Sequence, residues 1–193
     1  MDKKERLCKA IKKIGWGYVP LYFNFNLGTI DIIPSWWSYI MFFREGIDGI
    51  EEEEESVKLL KPIGLGLAIY YLITWFCTMF GVPTDWFLIS EIASIVSLYY
   101  HFQLLTNLAN IAGKYGCEQQ QSILNLRTIQ TVLLTILAFT VHFEEIYWLS
   151  LGIGVIQIIV VIAICLVLRN FKHALEALPD CVFSQQEGFS IEI

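Results

Sequence analysis

Basic residues are scarce in this sequence, and they are missing where a soluble helix would need them. Lysine and arginine total 13 of 193 residues, and residues 14–43, 62–113 and 128–168 contain neither. A soluble domain spreads charge along the outer face of every helix, so this pattern excludes an ordinary soluble bundle. Histidine is as sparse: His101, His142 and His173 form no HxxxH or HExxH spacing, which leaves no metal motif. The five cysteines (Cys8, Cys77, Cys117, Cys165 and Cys181) include no CxxC. They lie far apart and read as small apolar fillers rather than a disulfide framework. No GxSG nucleophile, paired-Asp protease signature, Gly-rich phosphate loop or DGxxAR lipid-phosphotransferase signature occurs. Glu144-Glu145 lacks the arginine that follows such a pair in intramembrane glutamate proteases. These absences argue against an enzyme, and no cofactor or metal is expected.

What is present is apolar: 55% of residues are hydrophobic and the mean hydropathy is +0.55. The basic residues lie at the borders of the apolar runs. Six fall between Lys3 and Lys13, followed by Arg44, Lys58, Lys61, Lys114, Arg127, Arg169 and Lys172. Basic residues resist translocation far more than acids do, so this one-sided charge predicts three membrane hairpins with both termini cytoplasmic. The expected fold is an all-α integral membrane bundle of six segments, at about 14–27, 34–50, 62–82, 86–112, 123–141 and 146–168. Residues 1–13 read as a basic amphipathic helix at the inner surface that runs into the first segment. Residues 170–193 read as an inner-side amphipathic helix and acidic tail. Asn24 and Asn26 interrupt the first apolar run and no small-x-small cleavage site follows, so the start is expected to be retained. The net charge of −6 comes mainly from residues 51–55 and the tail, so nucleic acid is excluded as a partner and the lipid bilayer is expected.

The first hairpin is short. The segment 34–50 rises only about 25 Å against a hydrocarbon core of about 30 Å. That leaves two thin spans or a re-entrant pair. Arg44 and Asp48, and likewise Glu54 and Lys58, have the spacing of i,i+4 ion pairs, and residues 51–55 read as a solvated helical linker. Gly64, Gly66 and Ala68 give the third segment a smooth face for close packing. Trp36, Trp37, Trp75, Trp86 and Trp148 would mark the outer interface as an aromatic belt.

Polar groups inside spans are the strongest leads, because they are costly there. Ser90, Ser94, Ser97 and His101 fall within a sector of about 60° on one helix, with Glu91 at its edge. Glu91, Ser94, Ser97 and His101 read either as a proton or cation path or as a close helix seam, the seam being the simpler. Gln103, Asn107 and Asn110 make a second stripe that Gln130, Thr131, Thr135 and Gln157 could meet as hydrogen-bonding glue. Asn24, Asn26 and Asp31 form a candidate hairpin site, where unwound backbone could line a small-solute site or simply cap a helix.

The run Asn24-Phe25-Asn26-Leu27-Gly28-Thr29-Ile30-Asp31-Ile32-Ile33-Pro34, continued by Ser38-Tyr39, carries an FNxGxxDxxP pattern. It resembles the opening hairpin of a loose group of small multi-pass bacterial membrane proteins of unknown function, in which Gly-Tyr stands where this chain has Ser38-Tyr39. The resemblance covers about the first fifty residues and implies a bacterial inner-membrane location, but no activity. Six segments at this length also resemble vitamin-uptake S-components of energy-coupling transporters, although the AxxxA motif of their first helix is missing. The leading functional expectation is a non-enzymatic membrane protein that assembles with or regulates a membrane partner or forms a homo-oligomer. The alternative is a small transporter or substrate-binding subunit with a polar path along residues 86–112.

Overall fold

The computed structural model describes residues 2–22, 26–27, 30–31, 34–83, 87–140, 147–179 and 183. Among these, all but one short ladder and the connecting turns is helical, in six segments. Helix α1 spans Lys3–Tyr22, followed by strands β1 (Asn26–Leu27) and β2 (Ile30–Asp31). Helix α2 (Ser35–Met41) continues through a π-helical stretch, Phe42–Ile47, into α3 (Asp48–Ile50). A 3₁₀ turn, Glu55–Leu59, leads into α4 (Leu60–Met79), and α5 (Phe87–Lys114), α6 (Gln119–Thr140) and α7 (Tyr147–Ala177) complete the chain.

Leu7, Ile11, Ile14 and Tyr18 recur at helical spacing and are all buried, so α1 forms as one continuous helix. The basic surface segment and the first apolar segment are therefore one rod. The helix is described to Tyr22, and Asn26–Leu27, which the first segment was expected to include, is a strand instead. Asn26 pairs with Asp31 and Leu27 with Ile30 in an antiparallel ladder. Two later helix ends carry a glycine in the left-handed conformation, Gly81 (φ 67°) and Gly116 (φ 65°). Val82 and Gly81 donate to the carbonyls of Cys77 and Thr78, and Cys117 and Gly116 donate to those of Ala112 and Gly113. Both are Schellman stops, which need a residue free of Cβ strain at that position.

Helices adjacent in sequence pack on one another, and α7 returns to pack on α1, so the six segments close a ring. Buried Tyr18, Tyr39, Phe42 and Tyr100 fill its centre. One end of the ring is tightly packed: Leu104, Leu105, Leu108, Ala109, Ile111 and Ala112 of α5 are all buried there. Charges tie that end together. Glu53 pairs with Lys3 at 3.0 Å and Lys114 at 2.7 Å, Arg6 pairs with Glu52, and Lys61 pairs with Glu51 and with Asp48, the latter at 2.9 Å.

These pairings correct two local expectations. Asp48 meets Lys61 rather than Arg44, and Lys58 reaches Glu55 at 3.8 Å rather than Glu54. Phe42–Ile47 is π-helical, so Arg44 and Asp48 lack α-helical i,i+4 spacing, and beyond Ile50 the chain leaves the helix, with Glu54 extended (φ −146°). Nor is the acidic run wholly solvated, because the Glu53 side chain is only 1% exposed.

Three helices are long and apolar enough to cross a membrane: Glu55–Met79, Phe87–Lys114 and Leu151–Ala177. Only 22%, 28% and 33% of their most apolar windows is buried, so most of this apolar surface points out of the ring. Leu65, Ile69, Ile73 and Phe76 on α4, and Ile92, Ile95 and Tyr99 on α5, are exposed. Water would not tolerate apolar faces on this scale, and they suggest a membrane location.

Candidate functional site

The four polar residues Glu91, Ser94, Ser97 and His101 all line one cavity of about 580 Å³. It lies in the half of the ring away from the ion-paired end, where α1 and α6 finish and α2 and α5 begin. Tyr22 of α1, Ser35 and Tyr39 of α2, Tyr71 of α4 and Thr135 of α6 form the other walls. Ser94 is exposed and Glu91 half-buried, whereas His101 at the closed end is only 2% exposed.

The closed end is an aromatic box. The His101 ring lies 5.4 Å from Tyr18, 5.9 Å from Tyr39, 5.8 Å from Phe42 and 5.5 Å from Tyr100, centroid to centroid. The Tyr39 hydroxyl shares a 2.7 Å hydrogen bond with Ser97 Oγ and a 3.4 Å contact with His101 Nε2. Tyr39 and Tyr71 stack in parallel, 5.3 Å apart at 6°. His101 Nδ1 and the hydroxyls of Tyr18 and Tyr100 are buried with no hydrogen-bond partner among the described residues. Buried polar atoms are nearly always satisfied, so such a group marks the site as polar and functionally suggestive.

Tyr39 is the residue that joins these parts. Replacing Tyr39 with Phe is expected to leave Ser97 and His101 without their shared partner and to cost about 1–2 kcal/mol. Thermal unfolding in detergent measures this. An unchanged midpoint would show that the hydroxyl is not part of the network.

The tyrosine walls were not legible from α5 alone, because they come from three other helices. Of the candidate hairpin residues, Asn24 lies outside the described residues. Asn26 and Asp31 sit in the β1–β2 ladder, so their backbone is extended rather than an unwinding helix end. His142, Glu144, Glu145, Asp85 and Trp86 also lie outside the described residues. Among those described, no three His, Cys, Asp or Glu side chains gather as metal ligands.

The second polar stripe is built differently from the expected glue. Gln103 Nε2 and Ser56 Oγ both donate to Asn107 Oδ1 at 2.9 Å, while Asn110 is exposed. Thr131 and Thr135 donate back to carbonyls of their own helix. Gln130 reaches across the ring and donates to the Tyr22 hydroxyl at 3.0 Å. Trp36 packs against Trp37 and Trp75 at 5.7 and 6.3 Å, and Trp148 is exposed.

Comparison with protein-family models, curated proteins and solved structures finds no match for this chain.

Proposed function

We propose that this chain is a multi-pass inner-membrane protein, with both termini cytoplasmic, that binds a small solute inside its helical ring. It would act as a small transporter or as the substrate-binding subunit of one. The observation that carries this reading is the cavity of about 580 Å³ lined by Glu91, Ser94, Ser97 and His101. That volume lies within the range of sites built for small molecules, mostly apolar with a few convergent polar groups. A packed, charge-clamped base beneath a more open half also suits a protein that must admit a ligand at one end. The reading of a protein that only assembles with or regulates a partner rests on no feature as specific. A non-enzymatic role, a cell-membrane location and kinship with the FNxGxxDxxP group belong to the same proposal.

The test is chemical access. In a cysteine-free background in membrane vesicles, Ser94→Cys is expected to react with a small methanethiosulfonate reagent well above a Leu104→Cys control in the packed half. If Ser94→Cys is as inert as that control, the cavity is a sealed seam and the solute-binding reading falls. Membrane-impermeant reagent added from each side separately tests the predicted orientation, with reaction expected from the outer face.

A further inference from the structure

We infer that the solute this cavity accepts is an organic cation, an amine or quaternary ammonium carrying an apolar group; the inference rests on the solute-binding reading above. The first observation is charge. Glu91 supplies the carboxylate among the lining residues, and no lysine or arginine lines the cavity. Nor does any occur in residues 14–43, 62–113 or 128–168, the three stretches that build its walls. Lys3, Arg6, Lys61 and Lys114 are engaged in ion pairs at the other end of the ring. In apolar surroundings this carboxylate imposes a stronger negative potential than it would in water. A ligand anion would be repelled, with no lysine or arginine in the lining to hold it.

The second observation is the wall. Tyr22, Tyr39 and Tyr71 line the cavity, and the last two form a parallel stacked pair. Tyrosine rings attract cations through their negative faces, and several such rings around one space are the known chemistry of quaternary-ammonium recognition. Third, the cavity is far larger than a bare metal ion or ammonium needs, and most of its lining is apolar. Apolar side chains such as Leu98, Leu134 and Leu137 ask for a hydrocarbon or aromatic body on the ligand. Finally, His101 at the closed end keeps Nδ1 without a partner among the described residues. In its acceptor form that nitrogen can take a hydrogen from a ligand ammonium or hydroxyl.

Three probes of similar size separate charge from shape: trimethyl(2-phenylethyl)ammonium, 3-phenylpropanol and 3-phenylpropionate. Each is titrated calorimetrically into the full chain in detergent, with protein-free micelles as the blank. The ammonium is expected to bind roughly tenfold tighter than the alcohol, with the carboxylate weakest. Glu91→Gln is expected to shrink the ammonium's advantage to less than about threefold, while Glu91→Asp keeps most of it. Continued binding of the alcohol by Glu91→Gln shows that its pocket is still formed. If the alcohol matches the ammonium in the parent protein, the cation inference is overturned while solute binding stands. If Glu91→Gln leaves the ammonium's advantage intact, the inference is overturned as well. If none of the three probes binds and Ser94→Cys is also unreactive, both readings fall together.

Discussion

Replacing Glu53 with glutamine is expected to destabilise the protein by about 3 kcal/mol, more than any other single charge change. The side chain is 1% exposed and meets Lys3 at 3.0 Å and Lys114 at 2.7 Å. Those lysines come from the first turn of α1 and the last residue of α5, so one carboxylate joins three elements distant in sequence. Glutamine keeps the shape but removes the charge that offsets two partly buried ammonium groups. The same interaction predicts a pH dependence. Burial works to raise the Glu53 pKa, but hydrogen bonds and charge from Lys114 and Lys3 outweigh it and hold the carboxyl below its ordinary value of 4.5. A depressed folded-state pKa gives stability that is fully present above the unfolded value and is lost as pH falls through the folded one. The parent's unfolding midpoint should therefore drop as pH falls below about 4.5, and Glu53→Gln should lack that part of the drop. Thermal unfolding in detergent from about pH 3 to 7 measures both. Equal midpoints with parallel pH profiles would show that the clamp contributes nothing.

Glu53 was not legible in the sequence, and the reason is physical. A run of five glutamates reads as solvated because one-dimensional pattern gives no hint which member the fold turns inward. What was legible followed from periodicity. The Ser94, Ser97 and His101 spacing on a single helix put those side chains on one face, and the structure lines its cavity with that face. Whether the face met a neighbour or a space depended on Tyr22, Tyr39 and Tyr71 on other helices, which no local pattern relates to it. Helix positions were also legible, since α2 through α3, α5 and α7 fall close to the expected segments. Their ends were less so. α6 starts at Gln119 because its glutamines are good helix formers, although they are not apolar. The end of α7 was the exception: the spacing of Phe171, Leu175 and Leu178 predicts a stripe that runs past the basic pair until Pro179, and α7 runs unbroken to Ala177. The Gly64–Ala68 face was half right: Gly64 packs on Tyr100 and Ala68 is buried, but nothing lies within 4 Å of a Cβ at Gly66.

The other large effect is expected at the glycine seam between α1 and the α2–α3 rod. A Cβ on Gly49 would sit 2.4 Å from the Ala10 Cβ and 3.2 Å from the Arg6 carbonyl oxygen. Both obstacles belong to the body of α1 and cannot swing aside, so Gly49→Ala must push the helices apart. Overpacking of this kind costs about 1–3 kcal/mol, and leucine at the same position should cost more. Gly17 presents the same problem nearer the site, because a Cβ there would lie 2.5 Å from the Phe42 ring. A side chain can often yield, but Phe42 is fully buried and packs on Tyr18, Tyr39, Tyr100 and His101. Gly17→Ala should therefore disturb the closed end of the cavity as well as stability, and slow the reaction of Ser94→Cys. Gly66→Ala is the control: it meets open space in a helix interior, where alanine is favoured by up to about 1 kcal/mol. Unfolding midpoints of the three variants decide the matter. If Gly49→Ala and Gly17→Ala melt like the parent and like Gly66→Ala, the seam is not as tight as its geometry states. If they melt lower while Gly66→Ala does not, close approach of α1 is what holds Phe42, and through it Tyr39, against the polar stripe of α5.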